Sequence, residues 1–425
     1  MFWFDFTWDI QHLLNQFWIP INVLLMITLA ILAYLAYKKP VWAVSLTTLL
    51  LPTYLLRSKI YFLPLTFLEI CIWLTFLGWL LNHWQNHRLK NFDKYYRWPI
   101  ILIIASAIIA LLLSPDLRTG AGLWKAYFIE PIMFFMVVAD VIKSHKDKKY
   151  VLWALGLSML AISLLAIYQK FSAFGIFEAS WIAQANRRVT AIFSSPNAIG
   201  LYFGPIIAIY LSWFIWGEKK ITGTVGKLLV LIPAILAVLF TVSQGTWLGL
   251  ATALVFLAFF GWDKKWTTII VMGLVIISLA IPISREKILP LLTLQDASGQ
   301  NRLILIKTSW QGLTSNAQNF VLGLGILGFD QLQDQTRDPL KLEDLLYPHN
   351  IILNFWSELG LLGLIGFSWL IIKFFFKGFK DHYQPRWLRL GLMAAMITIL
   401  IHGLVDVPYF KNDLAVLFWL IIALI

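Results

Sequence analysis

Two arginines, Arg187 and Arg188, stand just before VTAIFSSPNAIG, where an apolar segment begins. Ser195 suits the cap of a helix and Pro196 its first turn, so the segment should open with free N–H groups and the positive end of a helix dipole. Arginines beside such an end suit bidentate recognition of a phosphate, and Asn197, in the same first turn, is a polar candidate for the same ligand. A second such start is Tyr347-Pro348-His349-Asn350, ahead of IILNFWSELGLLGLIGF. Pro348 marks a first turn there, and a positive helix end would keep His349 neutral, as a general base must be. Asn350 is placed to orient the ring or bind a sugar hydroxyl. A third candidate, Arg302, opens an amphipathic stretch with Lys307 a turn and a half beyond, positioned to close over a diphosphate. Each residue also has a plainer role. Interfacial arginines snorkel to lipid headgroups, and an interfacial histidine commonly serves only as a hydrogen-bonding partner.

The elements that must hold these residues are membrane helices. The chain has 425 residues, 60% of them hydrophobic and only 13% charged, with a mean hydropathy of +0.76. Such a composition makes lipid the solvent. Spans are expected near 18–37, 40–56, 62–82, 98–113, 123–142, 150–171, 197–216, 226–243, 245–262, 266–283, 349–372, 387–405 and 410–425, about thirteen in all, each able to cross roughly 30 Å of hydrocarbon. The expected architecture is all-α and polytopic, with residues 1–17 as an interfacial segment. Most of the 34 basic residues fall in alternate short loops, which places those loops on the cytoplasmic side and the N-terminus outside. The formal charge of +12 is therefore a topology signal, scattered over loops rather than gathered on one face, and nucleic acid is excluded as a partner.

Two outward loops stand apart, about 172–196 and about 284–348, the second too long to be a mere connector. Within it Leu303, Ile306, Trp310 and Leu313 form one helical stripe, as in a helix lying in the outer interface. Other ionisable residues in or near apolar segments are Glu69, Lys125, Glu130, Glu358, His402 and Asp406. Pairing between helices explains most of them as well as function does. The single cysteine, Cys71, excludes an internal disulfide,. There is no P-loop, no HExxH, no GxSxG elbow and no cluster with metal-ligand spacing, so a nucleotide-driven or metal-dependent mechanism has no motif.

Taken in order, Arg188 with VTAIFSSPN, TVSQGTWLG at 241–249, Arg302 leading LILIKTSW, GLGILGF at 323–329 and HNIILNFWSELGLLG at 349–363 resemble the O-antigen ligase and O-antigen polymerase superfamily. The closing HGLVDVPYFKNDLAVLFW at 402–419 resembles the tail of these proteins. The resemblance covers the core from about 120 onward and, less distinctly, the first four spans. It implies a glycosyltransferase C-like fold and a donor glycan on undecaprenyl diphosphate. A glycan or lipid acceptor is implied as well, with no metal, nucleotide sugar or other cofactor at the active site. Carried over by motif, Arg188 and Arg302 would bind the diphosphate and His349 would activate the acceptor hydroxyl. Gln244 stands where the family often has the arginine of an SRG turn, which leaves that turn's role open. Ligase, polymerase and protein-glycosylating variants share these motifs. From another class, a transporter or flippase without transferase chemistry would show repeated halves or helices broken near the midplane, and the sequence displays neither clearly.

Overall fold

The computed structural model describes residues 18–60, 63–85, 94–184, 187–261, 297–336 and 345–425. In chain order the elements are α1 (Trp18–Lys38), α2 (Pro40–Leu49), a hairpin of β1 (Arg57–Ile60) and β2 (Leu63–Thr66), α3 (Phe67–Gln85), α4 (Arg97–Leu112), α5 (Leu117–Val141), α6 (His145–Ser172), the short α7 (Ala179–Ile182), α8 (Pro196–Trp216), α9 (Ile221–Thr241) and α10 (Gln244–Gly261). Then come α11 (Ala297–Thr314), α12 (Ala317–Leu322), α13 (Gly328–Thr336), α14 (Ile351–Lys380), α15 (Arg386–His402) and α16 (Asn412–Leu424). Helices α5, α6, α8, α9, α10 and α14 are long and apolar enough to cross a membrane, and shorter helices, most of them strongly apolar, stand at the other expected spans. The chain is an all-α polytopic membrane protein. The expected span near 266–283, the segment 1–17 and the start of the long loop lie outside the described residues.

Helix α8 is the axis of the bundle, buried along nearly its whole length. Without a hydrophobic force between helices in lipid, close backbone approach must hold it, and small residues permit that. A Cβ on Gly200 would lie 1.7 Å from Thr246 Oγ1, and one on Gly391 would lie 3.1 Å from Ser212 Cβ, so α10 and α15 press directly onto α8.

Three local departures from the expected pattern shape the site. The stretch expected to begin a helix at 62 instead pairs as the antiparallel hairpin β1–β2, with Arg57 opposite Thr66. Helix α3 then starts behind a reciprocal cap, Thr66 N–H donating to Glu69 Oε2 (2.9 Å) and Glu69 N–H to Thr66 Oγ1 (3.2 Å),. Helix α5 widens into a π turn over Lys125–Ile129. Pro131 has no N–H to offer Tyr127 O, and the Tyr409 hydroxyl donates to that carbonyl instead, at 2.8 Å,. Helix α14 is broken at Gly360 (φ 72°). The turn at 323–327 fills the break, Leu324 N–H donating to Ser357 O (2.6 Å) and Leu327 N–H to Glu358 Oε2 (3.2 Å). Gly323 must be glycine here, since a Cβ on it would sit 2.7 Å from Gly360 N and Ser357 O,.

The apolar stripe expected on α11 divides between the protein interior and the exposed surface. The buried side is Leu305, Ser309 and Leu313, with the Ser309 hydroxyl 2.8 Å from that of Ser357, while Leu303 and Trp310 are exposed. One polar residue and close packing on α14 thus decide which face turns inward. Leu313 joins the buried side because it lies one turn beyond Ser309.

Candidate active site

At one end of the bundle the loops are tied together by backbone bonds, Val189 N–H to Phe240 O (3.2 Å), Ile326 N–H to Ala110 O (3.0 Å) and Ile351 N–H to Gly403 O (2.6 Å). At the same end lies an open cavity of about 770 Å³ lined by residues of the hairpin, α5, and the starts of α8, α14 and α16. Its polar walls carry Arg57, Glu69, Arg118, Lys125, Ser194, Ser195, His349, Asp406, Lys411 and Asn412.

His349 reaches this cavity because α14 begins later than the sequence pattern implies. Asn350 is the N-cap, its Oδ1 accepting from Ile352 N–H (3.1 Å) and Leu353 N–H (3.2 Å). Pro348 and His349 therefore precede the helix rather than forming its first turn, and His349 adopts φ +53°. A non-glycine residue in that region stores of order 1 kcal/mol or more and persists only where its surroundings hold it. Asn350 supplies part of that hold. Its Nδ2 donates to Leu404 O at 3.1 Å, tying the start of α14 to the 403–407 turn. Its side chain is thus committed to capping and docking, not to the imidazole or to a sugar hydroxyl.

The imidazole faces a different partner. His349 Nδ1 lies 3.4 Å from Asp406 Oδ1, and His402 Nε2 lies 3.7 Å from Asp406 Oδ2. Burial alone would raise the Asp406 carboxyl, but the hydrogen bonding and charge of His349 and His402 hold it well below the usual carboxylate range,. Asp406 Oδ1 also accepts Val407 N–H (2.8 Å), and Oδ2 accepts Asn197 Nδ2 (3.1 Å). Asn197 Oδ1 in turn accepts Arg188 Nη2 at 3.3 Å, and Arg188 Nε donates to Thr241 O at 2.8 Å. One polar chain therefore joins Arg188, Asn197, Asp406 and His349, three of them residues singled out from sequence. A carboxylate on Nδ1 fixes the ring and leaves Nε2 as the nitrogen able to take a proton. Close packing locates the second histidine, because a Cβ on Gly245 would be 2.6 Å from His402 Cδ2.

Arg187, Arg302 and Lys307 lie apart from the cavity. Arg187 is engaged with backbone, Nη1 donating to Lys170 O (2.9 Å) and Phe171 O (3.0 Å) and Nε to Ile182 O (3.0 Å), which caps the end of α6. Arg302 is half-buried and Lys307 exposed on α11, and neither lines the cavity. Gln244, half-buried at the start of α10, adjoins the turn whose Thr241 carbonyl receives Arg188. Glu358 is buried, with Leu327 N–H as its donor. Lys125 lies 3.6 Å from Glu130 and closer, at 3.0 Å, to Glu69.

Asp406 was in view in the sequence only as one ionisable residue among several. Its signal was the spacing His402-Gly-Leu-Val-Asp406, which turns sharply enough after α15 to bring the carboxylate back over the ring. Arg57, Arg118 and Lys411 gave no signal, since nothing local marks a cation as cavity-lining.

Fold and site together define a polytopic membrane protein with a histidine–aspartate pair in a cation-lined cavity at one end of its bundle. Residues 229–368 match the family model described as O-antigen ligase. The resemblance read from the motifs stands on that match, which supports a function of the O-antigen ligase or polymerase kind. It takes in Arg302, Lys307, His349 and Asn350 but less than half of the chain, leaving Arg187, Arg188, Asn197 and Asp406 outside. A comparison with curated proteins finds no match.

Proposed function

We propose that this protein transfers or polymerises a glycan carried on undecaprenyl diphosphate, at the outer face of the cytoplasmic membrane, by a metal-independent inverting displacement. The observation that carries the proposal is the His349–Asp406 pair on the wall of a cavity large enough for a sugar and its phosphates. In the reaction the acceptor hydroxyl oxygen attacks the anomeric carbon, and the bond from that carbon to the carrier diphosphate breaks. The hydroxyl proton passes to His349 Nε2, and the diphosphate leaves with the bonding electron pair. Asp406 holds the tautomer and stabilises the imidazolium that forms. Arg188 acts one step back, fixing Asn197 and through it Asp406. The positive-inside distribution of lysine and arginine supports an outward cavity, because the loops that close it belong to the basic-poor set.

The break in α14 at Gly360 is the feature a transporter would use. Here the 323–327 backbone packs into it, with Leu324 N–H donating to Ser357 O and Leu327 N–H to Glu358 Oε2,.

The decisive experiment is His349→Ala in a strain lacking the native protein, with surface glycan resolved on gels. General-base assistance is worth about 10²- to 10⁴-fold, so inserted, folded H349A should fail to form product. Free carrier-linked polymer would then mark a ligase, and a single-repeat ladder a polymerase. Undiminished long chains from H349A would end the proposal.

A further inference from the structure

The cations of the cavity are of two kinds. Lys125 is paired, with Glu69 Oε2 at 3.0 Å and Glu130 Oε1 at 3.6 Å. Among the described residues no carboxylate lies within ion-pair distance of Arg57, Arg118 or Lys411. Asp116, whose carboxylate senses Arg118, is taken up by the Arg118 and Thr119 N–H groups and the Thr119 hydroxyl. The Lys411 ammonium sits 5.2 Å from the ring centroids of both Tyr54 and Phe193. Asp406 and Asp413 act on it from beyond ion-pair range.

Their positions on the helices sharpen the contrast. Arg118 lies in the first turn of α5, and Lys411 is itself the N-cap of α16. A cation at the positive end of a helix is disfavoured, and a half-buried one with no carboxylate in ion-pair range more so. Two of the helices that start at this cavity also lack a side-chain cap, α8 behind Ser195 and α16 behind Lys411, while Ser195 lines the cavity. Unpaired ammonium, two guanidiniums and uncapped N–H groups converge on one space, and one kind of ligand satisfies all of them.

We propose that Lys411, Arg57 and Arg118, with the uncapped starts of α8 and α16, form the seat for the diphosphate of the polyisoprenoid-linked donor. This rests on the transfer function above and relocates phosphate recognition within it. Arg188 is committed to Thr241 O and Asn197, and Arg302 does not line the cavity, so the cavity's own cations are better placed for that role. Guanidiniums on the exposed rim and an ammonium deeper in match a diphosphate entering from the side of the hairpin. There they would neutralise the charge that grows as the glycosidic bond breaks.

The test uses the full chain in lipid nanodiscs with three probes, farnesyl diphosphate, farnesyl monophosphate and farnesol, at one fixed ionic strength. The wild type should bind the diphosphate most tightly and farnesol hardly at all. Lys411→Gln, and separately the double variant Arg57→Gln with Arg118→Gln, should each weaken diphosphate binding at least tenfold, with Lys411→Arg restoring most of it. Arg57 and Arg118 are exposed, so their double variant keeps the test valid if Lys411→Gln does not fold. His349→Ala should bind the probe as the wild type does and turn nothing over. Equal binding of farnesol and farnesyl diphosphate, or wild-type affinity in both cation variants, overturns the seat. Normal turnover by H349A instead overturns the transfer function itself, so the two failures are distinguishable.

Discussion

At the end of the bundle away from the cavity, lysines and arginines rest on the carbonyls that close the helices. Lys143 donates to Ala139 O near the end of α5, Lys227 to Trp213 O near the end of α8, Arg389 to Gly378 O near the end of α14 and Lys148 to Leu424 O at the end of α16. At the cavity end Arg187 and Arg188 do the same for α6 and α9. Arg118 and Lys411 stand at helix starts instead, where there are no spare carbonyls and the dipole has their own sign. A cation on a C-terminus is accounted for by the helix it closes, whereas a cation on an N-terminus needs something else. In this protein the distinction separates structural arginines from ligand-seeking ones better than sequence motif does.

The largest effect should come from the group where the two kinds of helix end meet. Asp406→Asn keeps size and most hydrogen bonds but lets His349 lose its fixed tautomer, so turnover should fall on the order of 10²-fold with folding retained. Steady-state rates on a purified donor check this, and an unchanged rate would reduce Asp406 to a bystander. The pH dependence has a definite sign. A carboxyl held below its unfolded value of about 3.9 stabilises the fold at every pH above that value and gives this up as pH falls through the folded value. The stability difference between wild type and D406N, followed by thermal unfolding, should therefore be present at about pH 5 and shrink below about pH 4,.

The next effect tests the contrast between arginines. Arg188→Ala removes a cap on α9 and the anchor of Asn197, so it should lower stability by about 1–3 kcal/mol and turnover with it. Arg57→Gln, exposed on the hairpin, should change stability by less than about 0.5 kcal/mol while weakening substrate binding. Thermal unfolding beside a Michaelis–Menten series separates them. If both variants were stable and both raised only KM, the division by helix end would be wrong.

How far the sequence carried follows the same physics. Twenty-residue apolar stretches have one stable solution in lipid, so helices appear at every expected span that the described residues cover. Hydropathy is blind to what happens between neighbours. LPLT at 63–66 is apolar enough for a span but pairs as a strand, and α14 breaks at Gly360 because a glycine turn from elsewhere in the chain enters it. His349 and Arg188 were legible because helix starts leave local marks in Ser, Pro and Asn. Asp406 was not legible as their partner, because the link through Asn197 joins positions more than two hundred residues apart. Lys411 had no mark at all, since only the folded cavity distinguishes it from a topology lysine.

The smallest effects carry the sharpest signs. Lys143→Ala gives up a cation on the last carbonyls of α5, an interaction worth about 0.3–1 kcal/mol at a surface, and should lower stability by no more than that. Lys411→Met removes an enclosed cation from a helix start while keeping a chain of similar length, so in the absence of substrate it should raise stability by up to about 1 kcal/mol. The same substitution should abolish diphosphate binding, the pattern of a residue retained for function against the interest of the fold. Thermal unfolding of both variants without ligand, then with farnesyl diphosphate, decides the matter. The ligand should stabilise wild type and K143A alike and leave K411M unmoved. If K411M is destabilised without ligand, Lys411 has a structural partner after all, and the separation of the two kinds of cation loses its main support.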